Sequence, residues 1–242
     1  PEEITDEFFN PLMHQIFQAL SGIECILTES GSWKNPCDVY YAEGDLKDLV
    51  SNDELRSNFG KEYVANTFYL KRELRDLLGI ADFTPKHLVE CLKRPEWVKK
   101  RSDAWLVMLY RYCAQQLKRA KPDNLTLDDI VQLPIIKLEN GDYCSANSGQ
   151  VFLDLERTGK KYEFESDLES TLRVLDVSLR SAVKGEEDAK DLIEFLKKLN
   201  VINPDPGNII NQHILPQYLT GTWRGKPPEI LQGHIHFIKD HF

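Results

Sequence analysis

The chain has 242 residues, of which 41% are hydrophobic and 29% charged, and a formal net charge of −9. That composition is globular and excludes a disordered segment, with enough chain for one large domain or two of ordinary size. No apolar run approaches the roughly 20 residues that span a bilayer, and a net negative surface repels phosphates except where positive charge is concentrated.

The sequence opens Pro1-Glu2-Glu3, acidic and without a Met or signal peptide, so this start reads as a fragment boundary. The first clear element is a hairpin: Ile26-Leu27-Thr28-Glu29-Ser30-Gly31-Ser32-Trp33, followed by Val39-Tyr40-Tyr41. A second stretch, Ile136-Lys137-Leu138-Glu139-Asn140-Gly141-Asp142-Tyr143 followed by Val151-Phe152-Leu153, repeats the pattern 110 positions later. Asn140-Gly141 predicts a type I′ hairpin turn, because both residues tolerate the left-handed region, and Ser30-Gly31 is a weaker version of it.

The two stretches also agree downstream. Leu74–Ile80 and Phe195–Val201 each read as a helix end closed by Gly79 or Asn200, the residues that best occupy a left-handed C-terminal position. Thr84-Pro85 and Asp205-Pro206 then supply a cap and a first-turn Pro for a following helix. Agreement of hairpin, helix end and following helix in one order favours an internal duplication.

Between the copies, Leu106, Leu109, Tyr110, Cys113 and Leu117 form one apolar face of a helix from about Asp103 to Lys118, with Ser102 as its cap. Lys121-Pro122-Asp123-Asn124 marks a boundary, and Thr126–Asp129 opens a short helix with a capping-box pattern. The second copy is longer by 11 residues around Glu156–Asp188, with a strand expected at Leu172–Leu179 and an acidic turn at Gly185–Asp188. From Pro228, the stripe Leu231, Ile235, Ile238 and Phe242 predicts a last helix whose packing partners lie beyond the chain.

Motifs for chemistry are weak. Gly221–Pro227 is one residue short of a phosphate loop and has Pro where the magnesium-binding hydroxyl belongs, so it reads as a loop anchored by Trp223. His234, His236 and His241 do not converge on a helix, His87 and Glu90 read as a satisfied polar pair, and no Cys pair has zinc spacing. No pair among the 39 carboxylates stands out as an acid and base. The chain is therefore expected to be no enzyme, with no catalytic residues, metal or cofactor. Cys25, Cys37, Cys91, Cys113 and Cys144 are odd in number and read as free thiols of a reducing compartment, the cytoplasm or nucleus.

One charged segment remains. Residues 93–121 carry nine basic side chains against Glu96 and Asp103, a local +7. Lys93, Arg94, Trp97, Lys99, Lys100 and Arg101 combine cations with an aromatic, a pattern suited to an acidic protein partner or to phosphates and a stacked base.

The phrase Ile-x-x-x-x-Gly-x-Trp/Tyr with an extended Val-aromatic segment resembles segments of very large sacsin-like and NO VEIN-like proteins. His213-Ile214-Leu215-Pro216 and the stretch from Tyr218 to Ile238-Lys239-Asp240-His241 share that resemblance. Such proteins join a GHKL-type ATPase domain of the chaperone kind to long regions of repeated hairpin and helix units. The Asp-x-Gly-x-Gly nucleotide motif of that ATPase has no counterpart here. The resemblance thus implies a non-catalytic segment outside the ATPase domain, and carries over no functional residue.

The sequence as a whole predicts an α+β chain of two related units, 1–121 with the linking helix and 122–242, each a small hairpin or sheet packed on helices. The expected function is a protein-interaction or scaffold segment of a large chaperone-like or regulatory ATPase protein. The alternative is nucleic-acid or phosphate-ligand binding through 93–121, with no membrane in either case.

Overall fold

A computed structural model describes residues 6–42, 44–67, 70–118, 124–153, 173–184, 189–202 and 205–241. Its chain divides into two compact units, residues 1–91 with 121–124, and residues 92–120 with 125–242. The architecture is α+β: helices dominate, and each unit has a two-stranded hairpin and a small sheet with parallel pairing.

In the first unit, helix α1 (Asp6–Leu20) precedes the hairpin β1 (Ile26–Leu27) and β2 (Trp33–Lys34), and then strand β3 (Val39–Tyr41). Helices α2 (Leu46–Leu49) and α3 (Asn52–Phe59) lead to β4 (Glu62–Tyr63), and α4 (Arg72–Leu78) leads to β5 (Ala81–Asp82). Strand β3 lies between β4 and β5 and is parallel to both. Phe17 of α1, Ile26, Val39, Val64, Leu70, Leu78 and Ile80 close the core, with Met13, Leu20 and Leu74 packed against it. Helix α5 (Pro85–Leu92) follows Thr84.

The second unit contains α6 (Pro95–Lys99), α7 (Asp103–Lys118), α8 (Leu127–Val131), the hairpin β6 (Ile136–Lys137) and β7 (Tyr143–Cys144), and β8 (Val151–Phe152). Helices α9 (Val177–Lys184) and α10 (Ala189–Lys198) precede β9 (Val201–Ile202), which pairs parallel with β8. Then come α11 (Pro206–Ile209), a π turn at Ile210–Ile214, α12 (Leu215–Thr220), a 3-10 turn at Thr222–Gly225 and α13 (Pro228–His241). Helix α7, expected with the first unit, packs on α9 and α10 in the second, where Tyr110 and Phe195 have ring centroids 5.9 Å apart. The buried Tyr110 hydroxyl donates to the Ile135 carbonyl at 2.7 Å. A second cluster, Phe152, Val174, Ile209, Ile210, Ile214 and Phe237, seats the C-terminal helices on the sheet.

The two units match in backbone detail. The Gly31 N–H bonds the Thr28 carbonyl at 3.0 Å, and the Gly141 N–H bonds the Leu138 carbonyl at 2.9 Å. In each, the second residue after the first strand donates outward: Glu29 N–H to the Tyr63 carbonyl, Glu139 N–H to the Val174 carbonyl. The same two glutamates hold basic side chains, Glu29 with Lys47 at 2.7 Å and Glu139 with Arg180. The first turn is tied further to β4 by Ser30 Oγ, which donates to Glu62 at 2.5 Å. Burial alone would raise the Glu62 pKa. Hydrogen bonds from Ser30 and Thr28 and the Arg56 guanidinium outweigh it, so the carboxyl sits below its ordinary value.

Two local expectations are corrected. The hairpin turns are not type I′, since Gly31 and Gly141 have φ of 81° and 83° while Asn200 is the one described non-glycine residue with positive φ. Each is instead a three-residue loop whose glycine forms a bulge. The Asn140 side-chain carbonyl accepts the Asp142 N–H at 3.0 Å, which holds the second loop in this form. Among the described residues of the strand expected at Leu172–Leu179, pairing is limited to single bridges at Val174 and Leu175. Asp176 then accepts the Ser178 N–H at 2.9 Å and starts α9 in its place, as a helix cap does. The acidic turn Gly185–Asp188 lies outside the described residues.

Candidate functional site

Residues 93–101 cross from the end of α5 through α6 to the start of α7. Pro95 opens α6, and Val98, fully buried, anchors it. The Ser102 hydroxyl accepts the Trp105 N–H at 3.2 Å and starts α7, as its position in the sequence suggested. These constraints leave Lys93, Arg94, Lys99 and Lys100 exposed, while Trp97 and Arg101 are half-buried.

The aromatic is not an open platform. Arg101 lays its guanidinium carbon 3.7 Å from the centre of the Trp97 ring and 4.9 Å from that of Trp105. The two indoles meet edge to face, with centroids 5.4 Å apart and planes at 82°. Arg101 and Trp97 thus stabilise the junction of α6 and α7 by cation–π and aromatic packing. Sequence reasoning grouped Arg101 with the exposed lysines and missed Trp105. The spacing of the two tryptophans across the Ser102 cap was the one available signal.

Part of the positive charge counted in the sequence has a partner. Lys118 pairs with Asp191 at 2.5 Å, and residues 119 and 121 lie outside the described set. Lys99 stands 3.8 Å from Glu96, an exposed pair that contributes little. The exposed cations concentrate at Lys93, Arg94, Lys99 and Lys100.

Other candidates resolve into structural roles. Gly221 ends α12, and Trp223 stacks on Tyr218 with centroids 5.9 Å apart and planes at 21°, so Gly221–Pro227 is a loop between helices. His87 accepts the Thr84 N–H at 3.0 Å through Nδ1 and lies on Phe83 with centroids 5.3 Å apart, completing an aromatic cluster with Tyr40 and Phe59. Burial first, and the Lys61 ammonium second, lower its pKa. Among the described residues no group of three His, Cys, Asp or Glu is placed to hold a metal ion. Two shallow clefts of about 210 and 230 Å³, open to solvent, lie beside α10, and the first brings Asp191 and Glu194 near Lys118 and Lys198. None of the five cysteines is in a disulfide, and burial pushes the Cys113 thiol up to about 12. No described helix is long and apolar enough to cross a membrane.

No family model and no solved structure matches the chain. Protein NO VEIN from Arabidopsis thaliana is 26% identical over 254 residues, an alignment that covers 97% of this chain. The chain spans 9% of the length of that relative.

Proposed function

We propose that this chain is a non-catalytic interaction segment of a larger regulatory or scaffold-type protein, and that it docks an acidic protein partner on Lys93, Arg94, Lys99 and Lys100. The observation that carries the reading is the concentration of four exposed cations about one short helix in a chain of net charge −9. Such a contrast focuses positive potential and steers an acidic surface to one place. Similarity to NO VEIN along nearly the whole chain supports its place in a long polypeptide. A sacsin-like architecture with a GHKL-type ATPase elsewhere in that polypeptide, working as a chaperone, belongs to the same proposal. So do an origin by duplication of one hairpin–helix unit and a cytoplasmic or nuclear location, which the thiols favour.

Nucleic acid is the second reading, favoured by the same cations. It ranks lower because Arg101 lies over one face of Trp97, which a stacking base would have to share or displace. The test is affinity capture from extracts of the source cells with the wild-type chain and with a Lys93→Glu, Arg94→Glu, Lys99→Glu, Lys100→Glu variant of equal thermal stability. The proposal expects proteins retained by the first to be lost from the second; equal retention by both, or nuclease-sensitive retention, overturns it.

A further inference from the structure

Ser102 stands where the basic run meets the start of α7. Its hydroxyl accepts the Trp105 N–H at 3.2 Å and its carbonyl accepts the Leu106 N–H at 3.1 Å, while the residue itself is exposed. Three basic residues come directly before it, Lys99, Lys100 and Arg101. No other serine or threonine of the chain has even two basic residues in the three positions before it.

The caps of α3 and α8 are built differently. Ser51 and Thr126 donate their hydroxyls to the carboxylates of Glu54 and Asp129, at 2.9 and 2.7 Å, and a phosphate on either would meet that carboxylate. The corresponding residue after Ser102 is Trp105, which brings no charge. The nearer carboxylate, Asp103, is held by Lys137 at 2.7 Å. A phosphate on Ser102 would therefore lie at the N-terminal end of a 16-residue helix, where negative charge is favoured, and close along the chain to Lys99 and Lys100.

We infer that Ser102 is a phosphorylation site for a basophilic protein kinase, and that its phosphate turns off docking on Lys93, Arg94, Lys99 and Lys100. The consequence rests on the docking reading; the modification rests on the exposure of Ser102 and the residues before it. Kinases of this class select a serine by the positive charge on its N-terminal side. The step moves the γ-phosphoryl group of ATP. The Ser102 Oγ–P bond forms, the bond from phosphorus to the β,γ-bridging oxygen breaks, ADP leaves, and the hydroxyl proton passes to the kinase. A kinase takes its substrate as extended chain, so α6 has to open. It has five residues and one buried side chain, Val98, and such an element opens locally at low cost. A phosphoserine carries about two negative charges at pH 7, roughly half the positive charge of the four docking side chains, and it competes with an acidic partner for Lys99 and Lys100.

The experiment treats the folded full chain with Mg-ATP and each of two basophilic enzymes, cyclic-AMP-dependent protein kinase and protein kinase C, and maps phosphate by mass spectrometry. A labelled peptide rich in Glu and Asp then reports binding before and after. The expected result is phosphate on Ser102, an unchanged unfolding midpoint, and about tenfold weaker peptide binding. Ser102→Asn, which keeps an acceptor at the cap, should bind the peptide as before after the same treatment. No phosphate on Ser102 with either kinase overturns the inference while the docking reading stands. Phosphate on Ser102 with binding unchanged, or with a lowered unfolding midpoint, overturns the switch. An unmodified chain that does not bind the peptide overturns the docking reading and the switch with it, and the mass spectrum still decides the modification.

Discussion

Gly79 and Asn200 hold the same left-handed backbone, with φ of 74° and 59°, each between a helix and the last strand of its unit. A Cβ added at Gly79 would meet nothing within 4 Å, so conformation alone limits what that position accepts. Gly79→Ala should lower stability by about 1–2 kcal/mol, because an L residue with a Cβ pays that much in this region. Gly79→Asn should lower it less, and Asn200→Gly should be tolerated, since each installs the residue used by the other unit. Urea unfolding of the three variants measures this; equal losses for Ala and Asn at Gly79 would show that the conformation is not what the position selects.

Arg101 and its neighbours Lys99 and Lys100 should separate in mutagenesis. Lys99→Glu and Lys100→Glu change exposed side chains and should leave the unfolding midpoint nearly unmoved, within about 0.5 kcal/mol. Arg101→Ala removes a guanidinium stacked on Trp97 and close to Trp105, and should cost about 1 kcal/mol. Thermal unfolding decides the matter, and an Arg101 variant as stable as the lysine variants would place Arg101 with the docking cations.

His87 should make the first unit acid-sensitive. Its pKa lies below the ordinary 6.5 in the fold, lowered by burial and then by Lys61, and Nδ1 must be unprotonated to accept the Thr84 N–H. The unfolded chain therefore binds the proton more readily. The stability contributed by the neutral ring is complete above about 6.5 and is lost as the pH falls toward the folded pKa. Urea midpoints at pH 7.5 and 5.5 should drop more for the wild type than for His87→Gln, which keeps an acceptor for Thr84. His213, whose pKa burial also lowers, is present in both proteins and cancels in the difference. Parallel drops would remove His87 from the account.

The loop at Gly221–Pro227 should bind no nucleotide. It joins two helices, and Trp223 is held against Tyr218. Calorimetry with Mg-ATP should show no saturable heat, whereas a stoichiometric micromolar site would overturn the non-enzymatic proposal.

Local chemistry was legible in the sequence where one short stretch decides the outcome. The caps at Ser102, Thr126 and Asp205, the buried stripe of α7 and the left-handed helix ends at Gly79 and Asn200 all follow from neighbouring residues. The parallel pairing of β3 with β5 was not, because Tyr40 and Ala81 meet across an intervening strand and three helices. The Val174–Leu175 bridges were read as a longer strand, since the apolar pattern alone does not show that Asp176 turns the chain into α9. At the candidate site, exposure of Lys93, Arg94, Lys99 and Lys100 agreed with the plain reading of a basic run. The packing of Arg101 between two tryptophans depended on the angle at which α6 meets α7, and no spacing rule supplies that angle.

The most direct test of the docking proposal is fluorescence anisotropy with two labelled probes of equal charge, a Glu- and Asp-rich 20-residue peptide and a single-stranded oligonucleotide, at low and physiological salt. The proposal predicts saturable binding of the peptide that weakens with salt, as screening of exposed charges requires. It also predicts at least tenfold loss of that binding in the Lys93→Glu, Arg94→Glu, Lys99→Glu, Lys100→Glu variant. Tighter binding of the oligonucleotide, or peptide binding unchanged in the variant, would contradict it.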